Sequence, residues 1–388
     1  MAGRDAVPRG VSRRLLRIAV GVLQVQLLWS GGAGSARAEA TPSFSVDDVR
    51  RAWASRQEKT PTLKLVWQTR EFTPKGGLVP AQMRGKTVLR PPNPPMDRDA
   101  QYSRSLLVDR GKMRFINRGD YWDDEDKCYA PTQYTKVWDG KEERDLSQLL
   151  QKRDQWEGAI GTRAEDVLLL ESFVPRVAMW PLDPVLSGLR LDNYQATDRT
   201  TEIDGHSCVL LRKVAGNEYL NELWVDPARD YLIVRMNTVE GSFVRERIDI
   251  KYQRDPEHSY YPAEWREVSM NSPERLCESG ESKVSEHSFT PHLEPSDFQL
   301  EFPPHTLVID KRGSQYARYL VLPDGNKRIV LDEESRAFIP RKTLMETEPG
   351  EALRPRASRW PWLVLLGALP LAVILLAVLR RRFAGNTR

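Results

Sequence analysis

The sequence predicts an α+β protein in which one antiparallel sheet carries a few helices against one face, followed by a C-terminal transmembrane helix. Three observations support this prediction. Alternating strand patterns, separated by turn residues, fill most of the chain between residues 61 and 331. Helical patterns occur in two short stretches, without the regular alternation of strands and helices that marks a parallel sheet. Residues 360–379 contain no charged side chain.

The first helix is expected over residues 45–59. Ser45 and Asp48 have the spacing of a capping box, and Phe44 and Val49 have the spacing of a hydrophobic staple. The apolar residues that follow fall on one side of the helix, so we expect it to lie on an apolar surface.

Strands are predicted where apolar residues alternate with polar ones. Leu65 and Trp67 belong to one such pattern, and VRERIDIKYQ at 244–253 shows the most regular one. This alternation indicates a sheet with one covered face and one face in water. Residues 74–98 contain too many prolines for a strand ladder and are interpreted as a long insertion. Residues 162–174 form the second predicted helix.

Both ends of the chain carry signals of export and membrane anchoring. Residues 1–38 combine a basic start, an apolar stretch over 18–29 and a small-x-small cleavage pattern, which predicts a signal peptide; an uncleaved anchor is the alternative. Residues 360–379 are long enough to cross the hydrocarbon layer as a helix, and three arginines follow them. We therefore expect residues 39–340 to form an exported β domain.

A stalk is expected between that domain and the membrane. Residues 341–359 show no apolar periodicity, and if fully extended this segment could hold the domain up to roughly 60 Å above the bilayer. Residues 380–388 would then form a short cytoplasmic tail. This arrangement predicts a single-pass protein of the cytoplasmic (inner) membrane whose main domain is periplasmic.

The charge distribution argues against nucleic acid as a partner. The whole chain has a net charge of +4, to which residues 1–38 contribute +5 and residues 380–388 contribute +4, so residues 39–379 carry −5. Binding of nucleic acid needs a basic surface, which a mildly acidic domain does not offer.

No motif predicts catalysis or a cofactor. The chain lacks a Gly-x-Ser-x-Gly elbow, a phosphate loop, a dinucleotide fingerprint and a His-Glu-x-x-His pair, so we do not expect an enzyme. The histidines are scattered and the acidic stretch at 119–129 lacks the order of an EF-hand, so no metal site is predicted. Cys128, Cys208 and Cys277 allow at most one internal disulfide, and three unpaired buried thiols are the alternative.

Aromatic and β-branched residues on the predicted strands are the candidate binding residues. They would either fill an ordinary core under a curved sheet or line an apolar hollow large enough for an acyl chain, and the sequence leaves both interpretations open. The candidate lining consists of Trp67, Phe115, Trp138, Trp224, Ile248 and Ile250.

The order of the elements resembles the LolA/LolB-like lipoprotein-carrier superfamily over residues 44–310. A capped helix leads into LKLVWQTREF, and the hairpins LLVDRGKMRFIN and WVDPARDYLIVRM and the closing stretch FQLEFPPHTLVID follow. The resemblance implies a curved antiparallel sheet, an unclosed β-barrel, wrapped over helices on its concave face. It also implies that the apolar inner face accepts lipid or an acylated peptide.

Two features depart from that superfamily: the C-terminal apolar segment and the proline-rich insertion at 74–98. A protein anchored by residues 360–379 cannot shuttle between membranes. We therefore expect a membrane-tethered, extracytoplasmic lipid- or lipoprotein-binding module in envelope lipid handling, held in the bilayer through its C-terminal helix. The alternative is an envelope sensor or protein-interaction module of the same fold, which binds a membrane protein partner and no lipid cargo.

Overall fold

The computed structural model describes most of the chain between residues 44 and 353. The described ranges are 44–76, 82–84, 87–89, 96–123, 128–148, 156–162, 170–187, 189–213, 219–337 and 339–353. The chain divides after Asn326 into two compact units. The predicted signal peptide, transmembrane helix and tail lie outside the described ranges. Within those ranges, no helix combines the length and the apolar character needed to cross a bilayer.

In its described residues, the first unit is mainly β-structure with two α-helices. Its helices are α1 (Val46–Lys59) and α2 (Phe173–Met179). Its strands are β1 (Thr62–Thr73), β2 (Gln82–Arg84), β3 (Thr87–Leu89), β4 (Arg98–Asp109), β5 (Lys112–Asp123), β6 (Cys128–Trp138), β7 (Glu143–Gln148), β8 (Trp156–Gly161), β9 (Tyr194–Ile203), β10 (His206–Lys213), β11 (Tyr219–Asp226), β12 (Leu232–Glu240), β13 (Phe243–Arg254), β14 (Tyr260–Ser272), β15 (Arg275–Ser288), β16 (Thr306–Asp310) and β17 (Ala317–Val321). Short 3-10 helices lie at Leu170–Ser172, Leu191–Asn193, Pro227–Arg229 and Pro295–Phe298.

All of these strands except β2 and β3 build one large, mostly antiparallel, curved sheet. Its order is β17-β16-β8-β7-β6-β5-β4-β1-β15-β14-β13-β12-β11-β10-β9. Within the described part of the chain, β9 and β17 do not pair with each other, so the sheet stays unclosed. The predicted antiparallel α+β architecture is thus confirmed, with one exception. The pair formed by β8 and β16 is parallel, which is possible because a long stretch of chain connects these two strands.

The capping signals of α1 form as the sequence predicts. The backbone N–H of Asp48 donates to Ser45 Oγ at 3.2 Å, and the backbone N–H of Ser45 donates to Asp48 Oδ2 at 2.9 Å. Val49 and Trp53 are fully buried on the side of α1 that faces the sheet. The indole N–H of Trp53 donates to the carbonyl oxygen of Tyr231 at 2.7 Å. This bond joins α1 to the turn between β11 and β12.

The second predicted helix, residues 162–174, lies mostly outside the described ranges. Residues 163–169 are outside the described ranges, a 3-10 turn follows at Leu170–Ser172, and α2 extends to Met179. Pro175 does not end this helix, because it lies in the first turn, where backbone N–H groups have no partner within the helix.

The insertion at 74–98 also differs from its prediction in one respect. Its described part contains a short antiparallel pair formed by β2 and β3, where no ladder was expected. Neither strand contains a proline, so the ladder is compatible with the proline-rich composition on either side of it.

The second unit contains the strand β18 (Lys327–Ile329), the helices α3 (Asp332–Arg336) and α4 (Arg341–Glu346) and a 3-10 turn at Glu351–Leu353. Arg328 and Glu334 form a bidentate ion pair, with Nη2 to Oε1 at 2.8 Å and Nη1 to Oε2 at 3.1 Å. Leu344 of α4 is buried. In its described part, residues 341–353, the segment expected to be a stalk contains a short helix and a 3-10 turn. The rest of that segment lies outside the described ranges.

Candidate functional site

One large apolar cluster covers the side of the sheet that faces α1 and α2, which we call the inner face. It combines strand residues with Trp53 of α1 and Val177 of α2. Five of the six predicted lining residues meet in this cluster. Trp67, Phe115, Trp138 and Ile250 are buried, and Ile248 is partly buried against them.

The strand alternation explains why Trp67 is at the centre of this cluster. Leu63, Leu65 and Trp67 occupy every second position of β1 and are fully buried. The Trp67 ring lies 6.1 Å from the ring of Phe115 and 5.6 Å from the ring of Trp265, measured between centroids. These tilted aromatic contacts connect β1 with β5 and β14.

Trp224 is the exception among the predicted lining residues. Its neighbours Leu223 and Val225 belong to the inner-face cluster, whereas Trp224 belongs to a separate cluster with Cys208 and Leu210. Because successive side chains of a strand point to opposite faces, Trp224 faces away from α1 and α2. The prediction that it lines the inner face is wrong. Three consecutive residues of β11 are apolar. The sequence therefore shows no alternation of apolar and polar residues there that could assign Trp224 to one face of the sheet.

A row of buried polar residues borders the apolar cluster on the inner face. Arg104 is 4% exposed and lies opposite Trp67 in the β1–β4 ladder. Its Nη2 forms a salt bridge with Glu71 Oε1 at 3.0 Å, its Nη1 donates to Thr69 Oγ1 at 3.1 Å, and its Nε donates to Asn117 Oδ1 at 3.3 Å. Sequence reasoning missed this row, although the alternation of β1 continues into Thr69 and Glu71 at the same inward positions.

A second buried ion pair lies on the same face. Lys136 pairs with Glu143, and both side chains are almost completely closed to solvent. Lys136 lies opposite Phe115 in the β5–β6 ladder. The burial of Tyr102, which lies beside Arg104, raises the pKa of its hydroxyl to about 12. The inner face therefore places apolar aromatic residues next to buried, mutually neutralised charges.

Trp67 differs from Trp53, Trp180 and Trp265 of this cluster in its hydrogen bonding. Its side chain is fully buried, and its indole N–H has no hydrogen-bond partner among the described residues. A buried donor without an acceptor is uncommon in proteins. The tryptophans of the cluster that do donate an indole hydrogen bond are Trp53, Trp180 and Trp265.

The opposite face of the sheet carries a groove of about 890 Å³ over β12 to β15 and the adjoining β1 and β4. Its charged side chains alternate in sign from strand to strand. Lys283 pairs with Glu264 at 3.0 Å, and Arg266 lies 3.7 Å from Glu281. The charges of neighbouring strands neutralise one another in ion pairs that are open to solvent. We therefore do not interpret this groove as a binding site for ions of one sign.

Two histidines share one carboxylate near the turn between β13 and β14. His258 Nδ1 lies 2.9 Å from Asp255 Oδ1, and His287 Nε2 lies 3.2 Å from Asp255 Oδ2. The hydrogen bond with His258, aided by further bonds, lowers the pKa of Asp255 to about 2. The Tyr261 ring stacks on His287 with 3.8 Å between centroids. Sequence reasoning treated the histidines as scattered, because these three residues meet only when β15 lies beside β14.

Metal binding and thiol chemistry find no support in the described ranges. These ranges contain no group of three or more His, Cys, Asp or Glu side chains arranged to hold a metal ion. Cys208 and Cys277 are buried and not in a disulfide. Burial raises the pKa of Cys208 to about 11, which keeps its thiol protonated and unreactive at neutral pH. The side chain of Cys128 lies outside the described part of the chain.

Comparisons with known proteins give similarities of fold. No protein family model and no curated protein matches the chain. An outer membrane lipoprotein-sorting protein domain from Vibrio parahaemolyticus has 11% identity and a TM-score of 0.40, with 66% of this chain and 95% of that chain covered. The LolA superfamily protein NE2245 from Nitrosomonas europaea has 10% identity and a TM-score of 0.34, with 66% and 99% covered. A chain of the MucA/MucB complex from Pseudomonas aeruginosa has 10% identity and a TM-score of 0.17, with 61% and 94% covered.

One of these structures is a LolA superfamily protein. At such identities and TM-scores the likeness concerns the fold alone. It carries no information on the ligand, the partner or the role of this chain.

Proposed function

We propose that this protein is a binding module for an acyl-bearing amphiphile, which it holds on the inner face of its sheet while tethered to the cytoplasmic membrane through residues 360–379. In this proposal the main domain is periplasmic, and the protein is not an enzyme. The observation that supports it most directly is the composition of the inner face. Aromatic side chains around Trp67 and Phe115 lie next to a buried polar row around Arg104, so the inner face combines the apolar and polar groups that the two parts of an amphiphile need.

The binding of an acyl chain requires an exchange of contacts at α2. This helix has seven residues, and Ser172 makes no side-chain cap at its start. So short a helix is stabilised mainly by packing rather than by its own propensity. An acyl chain contributes about 0.8 kcal/mol for each methylene removed from water. A chain of ordinary length can therefore replace the apolar contacts that α2 makes with the sheet.

A charged side chain on the inner face tests the proposal. Ile248→Glu places a carboxylate on the partly buried inner side of β13, whereas Arg247→Glu places the same residue one position away on the exposed outer side. The full chain, purified from membranes in a fluorinated surfactant without acyl groups, is extracted and its lipids are measured by mass spectrometry. We expect an acyl lipid in the wild type and in Arg247→Glu, and at least a fivefold loss in Ile248→Glu.

Two other results would contradict the proposal. If the wild type carries no acyl lipid and takes up none from added vesicles, the inner face is an ordinary filled core. If a membrane protein co-purifies equally with all three forms in the absence of lipid, the alternative of a sensor or interaction module without lipid cargo is correct.

A further inference from the structure

The outer face of the sheet, which points away from α1 and α2, carries a regular pattern of charges on three neighbouring strands. In the β13–β14 ladder, Asp249 lies opposite Arg266 and Lys251 lies opposite Glu264. Trp265, between the two charged residues of β14, belongs to the inner-face cluster. The side chains of Glu264 and Arg266 therefore point outward. Charge alternates in sign both between these strands and along each of them.

Strand β15 continues this pattern. In the β14–β15 ladder, Glu281 lies opposite Arg266 and Lys283 lies opposite Glu264. The six charges form two rows that run across the strands, and we call them the checkerboard. The first row is Asp249, Arg266 and Glu281, and the second row is Lys251, Glu264 and Lys283. Each residue has the opposite charge to its neighbour in the other row.

Most of the checkerboard is open to a partner. The side chains of Arg266 and Glu281 are 62% and 69% exposed, and those of Lys283 and Glu264 are 77% and 46% exposed. Ion pairs in water contribute little to the stability of a fold, so these side chains can exchange partners at little cost. The groove of about 890 Å³ over these strands gives the long side chains of another molecule room to enter.

A second copy of this chain has the charges that complement the checkerboard. Homodimers most often form about a two-fold axis, which brings the same surface of both copies together. If this axis runs across the strands between the two rows, each residue faces its neighbour in the other row of the second copy. Glu281 then faces Lys283, Arg266 faces Glu264, and Asp249 faces Lys251. All six positions meet the opposite charge.

Other positions of the axis bring like charges together. An axis along β14 would place Asp249 over Glu281 and Lys251 over Lys283. An axis along one row would place each charge of that row over the same charge of the second copy. Juxtaposed like charges are strongly unfavourable at an interface. The checkerboard therefore specifies one arrangement of two copies.

We propose that the protein forms a two-fold symmetric homodimer through the checkerboard on its outer face. The proposal is independent of the ligand proposed for the inner face. Packed sheets lie about 10 Å apart, a distance that pairs of long charged side chains can span. Because the contacts are ion pairs near solvent, the dimer should weaken as salt screens them.

Co-capture of two differently tagged copies of the full chain tests for the dimer. Both copies are expressed together, extracted in a non-ionic detergent and captured through one of the tags. We expect the second tag to be captured at about 0.05 M NaCl, with a loss of roughly fivefold or more at about 1 M NaCl, where the Debye length is only about 3 Å.

Charge reversals at two facing positions test the arrangement itself. In a dimer of Glu281→Lys alone, or of Lys283→Glu alone, both contacts between these positions join like charges, so each variant should lose roughly fivefold or more of its capture. If one copy carries Glu281→Lys and the other carries Lys283→Glu, opposite charges meet at both contacts. Capture should then return to within about twofold of the wild type. A folding defect in either variant cannot produce this rescue, because each copy keeps its own substitution.

A reversal elsewhere in the same unit serves as the matched control. Glu240, at the end of β12, forms an exposed ion pair with Arg245 at 3.0 Å and lies outside the checkerboard, so Glu240→Lys should be captured like the wild type. Three results would overturn the proposal. They are no capture of the wild type, capture that neither salt nor the two reversals reduce, and a mixed pair that is captured as poorly as each variant alone.

Discussion

Replacement of Glu334 by glutamine tests whether residues 327–353 fold as a unit. The carboxylate of Glu334 is fully buried and holds both terminal nitrogens of Arg328 at 2.8 and 3.1 Å. It also accepts from the backbone N–H of Gly350 at 2.9 Å and of Leu331 at 3.0 Å. The hydrogen bonds from Arg328, followed by those from the two backbone groups, lower the pKa of Glu334 from 4.5 to about 2.

The pKa shift gives the expected magnitude. A difference between the folded and unfolded pKa of about two units corresponds to about 3 kcal/mol of stabilisation. Because the folded pKa of Glu334 is the lower one, this stabilisation is fully present above about pH 4.5 and is lost as the pH falls through about 2. At neutral pH, Glu334→Gln leaves Arg328 buried without an anionic partner, so the unit should lose about 3 kcal/mol of stability.

Hydrogen exchange of the Leu331 and Gly350 amides measures this loss locally, since both donate to the carboxylate. We expect their protection factors to fall roughly 100-fold at pH 7 in Glu334→Gln, the equivalent of about 3 kcal/mol. Glu333→Gln removes an exposed carboxylate of the same helix and should leave both amides protected. Unchanged protection in Glu334→Gln, or equal losses in both variants, would refute the reasoning.

Two further variants test the packing and the electrostatics of the first unit. Gly119→Ala should lower the free energy of unfolding by about 1–3 kcal/mol, because the added Cβ would lie 2.1 Å from Cδ1 of Tyr102. In Gly161→Ala the added Cβ meets no atom within 4 Å, so this control should leave the free energy of unfolding nearly unchanged. Denaturant unfolding measures both variants. Equal stability of the two glycine variants would contradict the close approach. Asp255→Asn should melt below the wild type at pH 5, and the two melting curves should converge as the pH falls towards 2, because the folded pKa of Asp255 lies below its ordinary value of 3.8. A gap that persists to pH 2 would exclude the carboxylate as the cause.

Predictions from the sequence succeeded where the interactions that decide the structure lie between residues close together in the chain. The start of α1 could be placed because Ser45 and Asp48 satisfy each other's backbone groups within four residues. The buried positions of β1 could be placed because alternation needs only the neighbouring residues. The face of the sheet on which Trp224 lies could not be predicted, because apolar residues flank it on both sides.

Contacts between distant segments required the tertiary structure. The β1–β15 ladder places Leu65 opposite His287. The same position of β15 brings His287 to Asp255, which also binds a second histidine. The parallel pairing of β8 with β16 and the pair formed by Arg104 and Glu71 likewise follow from strand order and register. No local pattern encodes these, because a one-residue change of register would turn every side chain of a strand to the other face.

By itself, the sequence determined that the chain forms an antiparallel sheet with a capped helix against an apolar face, because alternation and capping act over a few residues. Only the tertiary structure decided which polar groups are buried beside that face. The indole N–H of Trp67 and the ion pair of Arg104 with Glu71 became parts of one site when β1 and β4 aligned in register. Strand register is a property of the whole sheet, since it minimises the free energy of all its contacts together.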